Sequence, residues 1–564
     1  MKRIILIISL LYAMPVGIYA QDSLDSLIMN KELDEIVVTA QRKYTRPTTR
    51  GIKVSMSGNP LSKIGSATDA IMQMPLIDGS GGSISVLGKG TPVIYINGRK
   101  MMNSSELSNL KSDDLASVEI VTNPSAEYGS DVSSVILIKT KQPLAGLYVS
   151  GKGSITASEE WSESTSVNIQ YHNDNGLTVF GDFSYSWDGF KQKRHYSESF
   201  KENPDSDKSF TTLSDESAKR RGQSLTTDGG INYDFGKNSI GMKYIFSRTP
   251  RSKFISKGYT LSNATCISDI TSSTAFSTQS FDHYINTFGD FSIPMDMKLR
   301  VDLDYLSGKT ATRWNATEKE TDKAITNHNK STHDYIGAKL KIDKNFNNIE
   351  IEAGVEYAHT VNNQDFTSAG GSEEFLKPAT DKVSQNLWAY FLSFDYDITP
   401  MWNIYGGLRY EATDSRYVQN GIYESNLSQK YNDFLPNLGV QFKSPVNITM
   451  YYRAKVSRPS YSLLENNYAY VTPTLWETGN PELVASKTHN LGLSLYYKNI
   501  VIQGTYIRSK NAIGSIYNYD TKINANIRTN INLPEYDTWQ FVASQGFNVK
   551  FWHPTVQGLS LIHI

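Results

Sequence analysis

Residues able to do chemistry are sparse and scattered. His328 and His333 stand in NHNKSTH, and two imidazoles could touch a metal ion. Without a third ligand they read as groups of a solvated loop. His489, in SKTHNL, reads as a lumen or loop polar group. Tyr468, Tyr470 and Trp476 sit in a long loop, where they could stack on a ligand or pack on one another. There is no Gly-x-Ser-x-Gly, HExxH or P-loop, so no catalytic or cofactor motif is legible. Two stretches carry more. Glu35-Ile36-Val37-Val38-Thr39-Ala40 is a short β-favouring run after a polar stretch. It could add as a strand to the sheet edge of a partner, or serve as the first strand of the domain that follows. VEIVTNPSAEYGSDVSSVILIKTK, from Val118 to Lys141, has β-branched runs flanking a connection of Pro, Ser, Gly and Asp. It reads as strand, ordered loop, strand.

These stretches need a scaffold, and 564 residues predict more than one domain. Lys2 and Arg3, the apolar run Ile4–Leu11 and Ala20 before polar Gln21 form a secretory signal peptide. No later apolar run reaches the ~18–20 residues of a membrane helix. Lys plus Arg number 56 and Asp plus Glu 57, so no basic balance points to nucleic acid. Cys266 is the single cysteine, which excludes a disulfide framework and a Cys-based zinc site. From Ser62 to Lys141 helix and strand patterns mix. Ser66 can cap a short helix carrying Ala70, Ile71 and Met74, which Pro75 ends. Ile84–Leu87 and Pro92–Ile96 read as strands, Asn97-Gly98 as a turn, and Ser104–Leu110 as a helical turn. This is a small α+β domain.

After Pro143 the period becomes two. Met297, Leu299, Val301, Leu303 and Tyr305 oppose Lys298, Arg300, Asp302 and Asp304. Ile349, Ile351, Ala353 and Val355 oppose Glu350, Glu352 and Glu356. Alternation makes one face apolar and one wet. Strands of roughly nine to twelve residues match the ~9–11 that cross a bilayer. Aromatic strand ends, long polar loops at Lys201–Gln223 and Gly308–Ser331, and short turns such as Ile398-Thr399-Pro400 complete the pattern. It predicts a transmembrane antiparallel β-barrel, in contact with outer-membrane lipid and closed so that no strand edge meets that lipid. Arg300, Asp302, Glu350 and Glu352 then face a watery lumen.

On these residues the chain resembles a TonB-dependent outer-membrane receptor. The order signal peptide, "LDEIVVTA", small α+β domain and large barrel is similar to that family's; "PVIYINGRKM", "DLASVEIVTNPSAEYG" and "VILIKTK" are similar to its plug signature, and "FLPNLGVQF", "SRPSYSLL" and "GNPELVASKTHNLGLSLYY" to its barrel. Ser133 and Ser134 stand where the family has glycines, and Leu137 where it has Asn. The resemblance implies a signal peptide over 1–20, a periplasmic segment with a TonB-box-like run over 21–50, a plug over 51–142 and an outer-membrane barrel over 143–564. The family's barrel has 22 strands. "GLSLIHI" offers no final strand ending in an aromatic residue, so a truncated chain and an incomplete barrel are expected. Asn97, Gly98, Asn123, Pro124, Ser125, Tyr128 and Gly129 then shape the plug: Pro124 fixes φ, Gly129 permits a tight bend and Tyr128 packs. By the same resemblance Glu35–Ala40 (Glu35, Ile36, Val37, Val38, Thr39 and Ala40) is expected to bind a TonB-like periplasmic energy transducer. The implied function is import of a scarce small ligand (siderophore, vitamin, metal complex, glycan or peptide), without a cofactor and without nucleic acid. The alternatives are a surface-binding or assembly barrel without active transport and, less favoured, a membrane-embedded hydrolase.

Overall fold

The computed structural model describes residues 44–564, apart from 81–82, 109, 142–143, 202–208, 263–269, 321, 371–376, 473, 521, 524 and 548–554. The signal peptide, the Glu35–Ala40 run and Cys266 lie outside the described residues.

A six-stranded mixed sheet comes first. Its spatial order is Thr45–Thr48, Gly51–Ser55, Leu115–Val121, Val135–Thr140, Val93–Ile96 and Arg99–Lys100. Pro47, which has no N–H to give a ladder, sits in the strand at one edge, where that loss is tolerated. The boundary read at residue 50 therefore falls between two strands of one sheet. Val93–Ile96 runs parallel to Val135–Thr140, with Ile94 opposite Ile136. Ile52, Val54, Val118, Ile120, Ile136 and Ile138 are buried and pack with the helix Ala67–Met72 through Ala67, Ala70 and Ile71. Ser66 caps that helix by accepting from the Asp69 N–H at 3.1 Å. Ile84–Leu87 shortens to the strand Ser85–Val86, and Ser104–Leu110 to the helical turn Ser105–Ser108.

From Gly146 onward one antiparallel sheet curls into a barrel around this domain. The ring holds eighteen strands among the described residues, one of them the two-residue Ile422–Tyr423. The strands are far longer than nine to twelve residues: Ser209–Phe235 has 27 and Met297–Glu318 has 22. At ~3.3 Å per residue, 22 residues span about 70 Å, beyond what even a tilted strand needs to cross a core of ~30 Å. The excess explains two differences from the sequence reading. Most of Lys201–Gln223 and Gly308–Ser331 is not loop but strand, pairing on past the membrane, as in Lys219 opposite Ile255 and Thr310 opposite Ser331. There the outer face meets no lipid and need not be apolar, so the alternation that marks a strand fades while the ladder continues.

The faces follow the pleat. Leu303 and Tyr305 are 50% and 42% exposed on the outside, while Arg300 reaches inward to the plug carbonyl of Gly98. The lumen is not simply watery, because the plug occupies it. Short turns join strands at one rim, as between Phe235 and Asn238. At the other rim long excursions build a four-stranded sheet from Tyr468–Thr472, Leu475–Thr478, Ala525–Asn532 and Ile513–Asp520.

The expectation of an incomplete barrel meets a ring that closes in strand order with one weak seam. Long neighbours in chain order all pair antiparallel, residue by residue. Setting the two-residue strand aside leaves an odd number, so the first, Gly146–Thr156, and the last, Thr555–His563, run the same way. No antiparallel register can join them, so among the described residues the ring closes there by its one parallel junction, the weaker kind of pairing. Consecutive residues Leu147, Tyr148 and Val149 are all exposed, as are Leu561 and Ile562, so both faces are bare there.

Candidate functional site at the plug–barrel interface

The connection between the plug strands Leu115–Val121 and Val135–Thr140 is a buried loop pressed on the barrel wall. Asn123 donates its amide N–H to the Tyr405 hydroxyl at 2.7 Å, and Asn437 donates to the Pro124 carbonyl at 2.7 Å. Arg50 stacks over the Tyr405 ring, and its carbonyl accepts from the Thr122 and Asn123 N–H groups. Ser125 is buried and its carbonyl accepts from the Tyr128 N–H. Tyr128 packs edge-on against Tyr95, with ring centroids 5.5 Å apart. Burial pushes both phenols well above their usual range, so both stay neutral. Gly129 bends the loop at an ordinary φ: it is absent from the left-handed region that Asn97 (φ 51°) and Gly98 (φ 81°) both occupy. Those two form the tight turn between Val93–Ile96 and Arg99–Lys100. A Cβ on Gly98 would stand 2.9 Å from the Arg300 guanidinium, which would have to move aside, so the positive φ is the stronger reason for glycine.

Charge fixes the loop to the wall. The Glu127 carboxylate lies 3.1 Å from Lys341 Nζ and 3.6 Å from Lys339 Nζ. Burial pushes its pKa up, but the two ammonium groups outweigh burial and bring it down to about 2. Ser130 donates to Glu411 at 2.9 Å, and Glu411 is itself held by Arg409 at 2.6 Å and Arg458 at 2.8 Å. Elsewhere on the plug, Arg99 pairs with Asp290 at 2.7 Å, and Glu106 with Lys243 at 2.6 Å. Sequence reasoning missed Glu127 and, apart from Arg300, which it placed on the lumen face, the wall partners. Their signal was the alternation itself, since Lys339 and Lys341, or Arg409 and Glu411, occupy successive inward positions of one strand.

The residues singled out for other chemistry do not converge. Tyr470 and Trp476 are buried against each other, ring centroids 5.4 Å apart, in the core of the four-stranded rim sheet with Ala316, Ile325 and Ala525. They are not free to stack on a ligand. His333 pairs with Asp282 at 2.9 Å rather than with His328. His489 lies on the outer face beside Tyr452, not in the lumen, because its neighbours Thr488 and Asn490 are the ones that turn inward. Among the described residues no group of three or more His, Cys, Asp or Glu side chains could hold a metal.

Residues 294–563 match the outer membrane protein beta-barrel family. No curated protein matches the chain significantly. Among solved structures, it is similar to the siderophore receptor PirA from Pseudomonas aeruginosa, at 14% identity and a TM-score of 0.54, over 92% of this chain and 86% of that one. It is also similar to the ferric enterobactin receptor PfeA from the same organism, at 12% identity and a TM-score of 0.54, over 91% and 81%. At such identity the likeness establishes the fold. The chain is a plugged β-barrel of the outer membrane.

Proposed function

We propose that this barrel is a receptor that binds a scarce small ligand at the cell surface and imports it when its plug is displaced by a TonB-like transducer. The observation that carries the reading is the character of the plug's attachment. Glu127, Arg99, Glu106, Ser130 and Asn123 hold it to the wall by ion pairs and hydrogen bonds. Such contacts can be exchanged for water, and among the described residues only Val501, Val542 and Tyr496 of the wall join the apolar core of the plug, so a folded plug can leave the wall intact. Glu35–Ala40 supplies the handle, since strand addition needs only a short extended run. Among the ligand classes, a ferric siderophore is favoured by what the two solved barrels are named for.

The test compares the full chain with a version lacking Asp34–Ala40, in cells deleted for the endogenous copy, by uptake of radiolabelled ferric siderophores under iron limitation. Uptake by the full chain and its loss in the deletion, with surface binding retained, supports the reading. Val37→Pro, which removes a donor and restricts Ile36, should reproduce the deletion, and Val37→Ala should be far milder. Equal uptake in all versions would leave the segment a mere linker or plug strand.

A further inference from the structure

Three buried cations stand on the barrel wall: Lys341, Arg409 and Arg453. Two are neutralised in full. Lys341 has Glu127, Asp343 and Glu352, and Arg409 has Glu356 and Glu411. Arg453 is only 6% exposed, yet among the described residues it has no hydrogen bond and no ion pair. An uncompensated buried guanidinium is strongly unfavourable, so its surroundings should hold what it lacks.

They hold a cavity of about 190 Å³ between plug and wall, which Arg453 lines. Two further cations share it: Lys455 from the wall and Lys89 from the plug. Lys455 donates to the Ser133 hydroxyl, and Lys89 to the Tyr451 hydroxyl at 3.2 Å, so both are pinned by neutral groups. Asp131 is the one carboxylate acting electrostatically on both Arg453 and Lys455, and it is exposed and pairs with neither. Thr488 and Asn490 add an uncharged hydroxyl and amide to the lining. The space is several times the ~30 Å³ share of one water molecule. Three positive groups around one polar cavity, one of them a guanidinium with its fork unused, match a small multiply charged oxyanion.

We propose that this cavity is an oxyanion site for phosphate, either inorganic phosphate or the phosphate group of a small monoester. Lys89 and Ser133 belong to the plug, and Arg453 and Lys455 to the wall. A bound phosphate therefore bridges the two and is released when they part. The site depends on the docked plug alone and not on import, so it stands or falls separately from the transport reading.

The test is isothermal titration of the full chain in detergent micelles with inorganic phosphate and, separately, with glycerol 3-phosphate. Saturable binding at one site per chain is expected from at least one of them. Binding of both assigns the site to the phosphate group, and of the monoester alone to a phosphorylated solute. Arg453→Gln should weaken binding about ten-fold or more, the loss of a charge-assisted hydrogen bond. Lys89→Gln should also weaken it and leaves the barrel wall untouched, which covers the case in which Arg453→Gln does not fold. Arg416→Gln, far from the cavity lining, should bind like wild type. Absence of saturable binding by wild type, or binding unchanged in both Arg453→Gln and Lys89→Gln, overturns the proposal.

Discussion

Glu127 shows how one side chain can set the pH range of a domain contact. Its carboxyl is held near 2, against an ordinary value of 4.5, by Lys339 and Lys341 despite burial. A depressed pKa contributes stability that is fully present above the unfolded value and is lost as pH falls through the folded one. Plug docking should therefore hold at neutral pH and weaken between about pH 4.5 and about pH 2. Glu127→Gln should weaken docking at pH 7 by about 2 kcal/mol, the worth of a charge-assisted bond rather than of a wholly orphaned charge, because Lys341 keeps Asp343 and Glu352. Limited proteolysis of the plug across pH checks this: the two proteins should differ at pH 7 and converge towards pH 2. A difference independent of pH would remove Glu127 from the account. None of this was legible in NPSAEYG, which shows the loop but not what faces it. A partner 212 residues away in the chain is set by barrel register, and register is not written locally.

At the scale of the strand, the pleat decides who meets lipid. Met297–Glu318 turns Arg300 and Asp304 inward, where they bond to Asp290 and to Tyr284 and Asn286. Val301 is on the opposite face and near the middle of the membrane-crossing part. Val301→Arg should lose roughly 2–4 kcal/mol of barrel stability. Urea titration of the barrel in vesicles measures it, and a change below about 0.5 kcal/mol would reverse the assigned faces. This much was legible, because burial of one face only writes itself as alternation. The parts of strands beyond the membrane were not. In TATRWNATE and KAITNHNK the outer face meets no lipid and the inner face packs on the rim sheet through little more than Trp314, Ala316 and Ile325, so the apolar alternation is too sparse to separate strand from loop. His489 shows the same limit at one position: a polar residue on an outer face contradicts the simple rule, and its hydrogen bond to Tyr452 at 2.7 Å compensates.

For the whole molecule, the odd number of long strands matters most. Two strands with the same direction meet at the seam, without the antiparallel ladder that joins every other long pair. Unpaired backbone groups in lipid are costly, several kcal/mol each. Opening should therefore begin there. Hydrogen exchange on the full chain in micelles should be fastest, among the membrane-crossing strands, along Gly146–Thr156 and Thr555–His563, and slowest near Met297–Tyr305. Uniform protection around the ring would show that the seam is as well bonded as the rest.

The position of Thr45–Thr48 at the edge of the plug sheet has a mechanical meaning. Tension entering from the N-terminal side reaches the sheet through four residue pairs, from Thr45 opposite Val54 to Thr48 opposite Gly51. One of the four contains Pro47, which gives no donor. A strand attached along one side and hinged at a turn peels, so its bonds fail in sequence and the force needed is that of one pair at a time. The barrel braces the same strand through Tyr496, which donates to the Thr45 carbonyl, and Gln441, which donates to that of Thr48. The wall thus acts as an anvil for the first step of unravelling. A modest pull can strip this edge while the inner strands, bonded on both sides, keep their ladders.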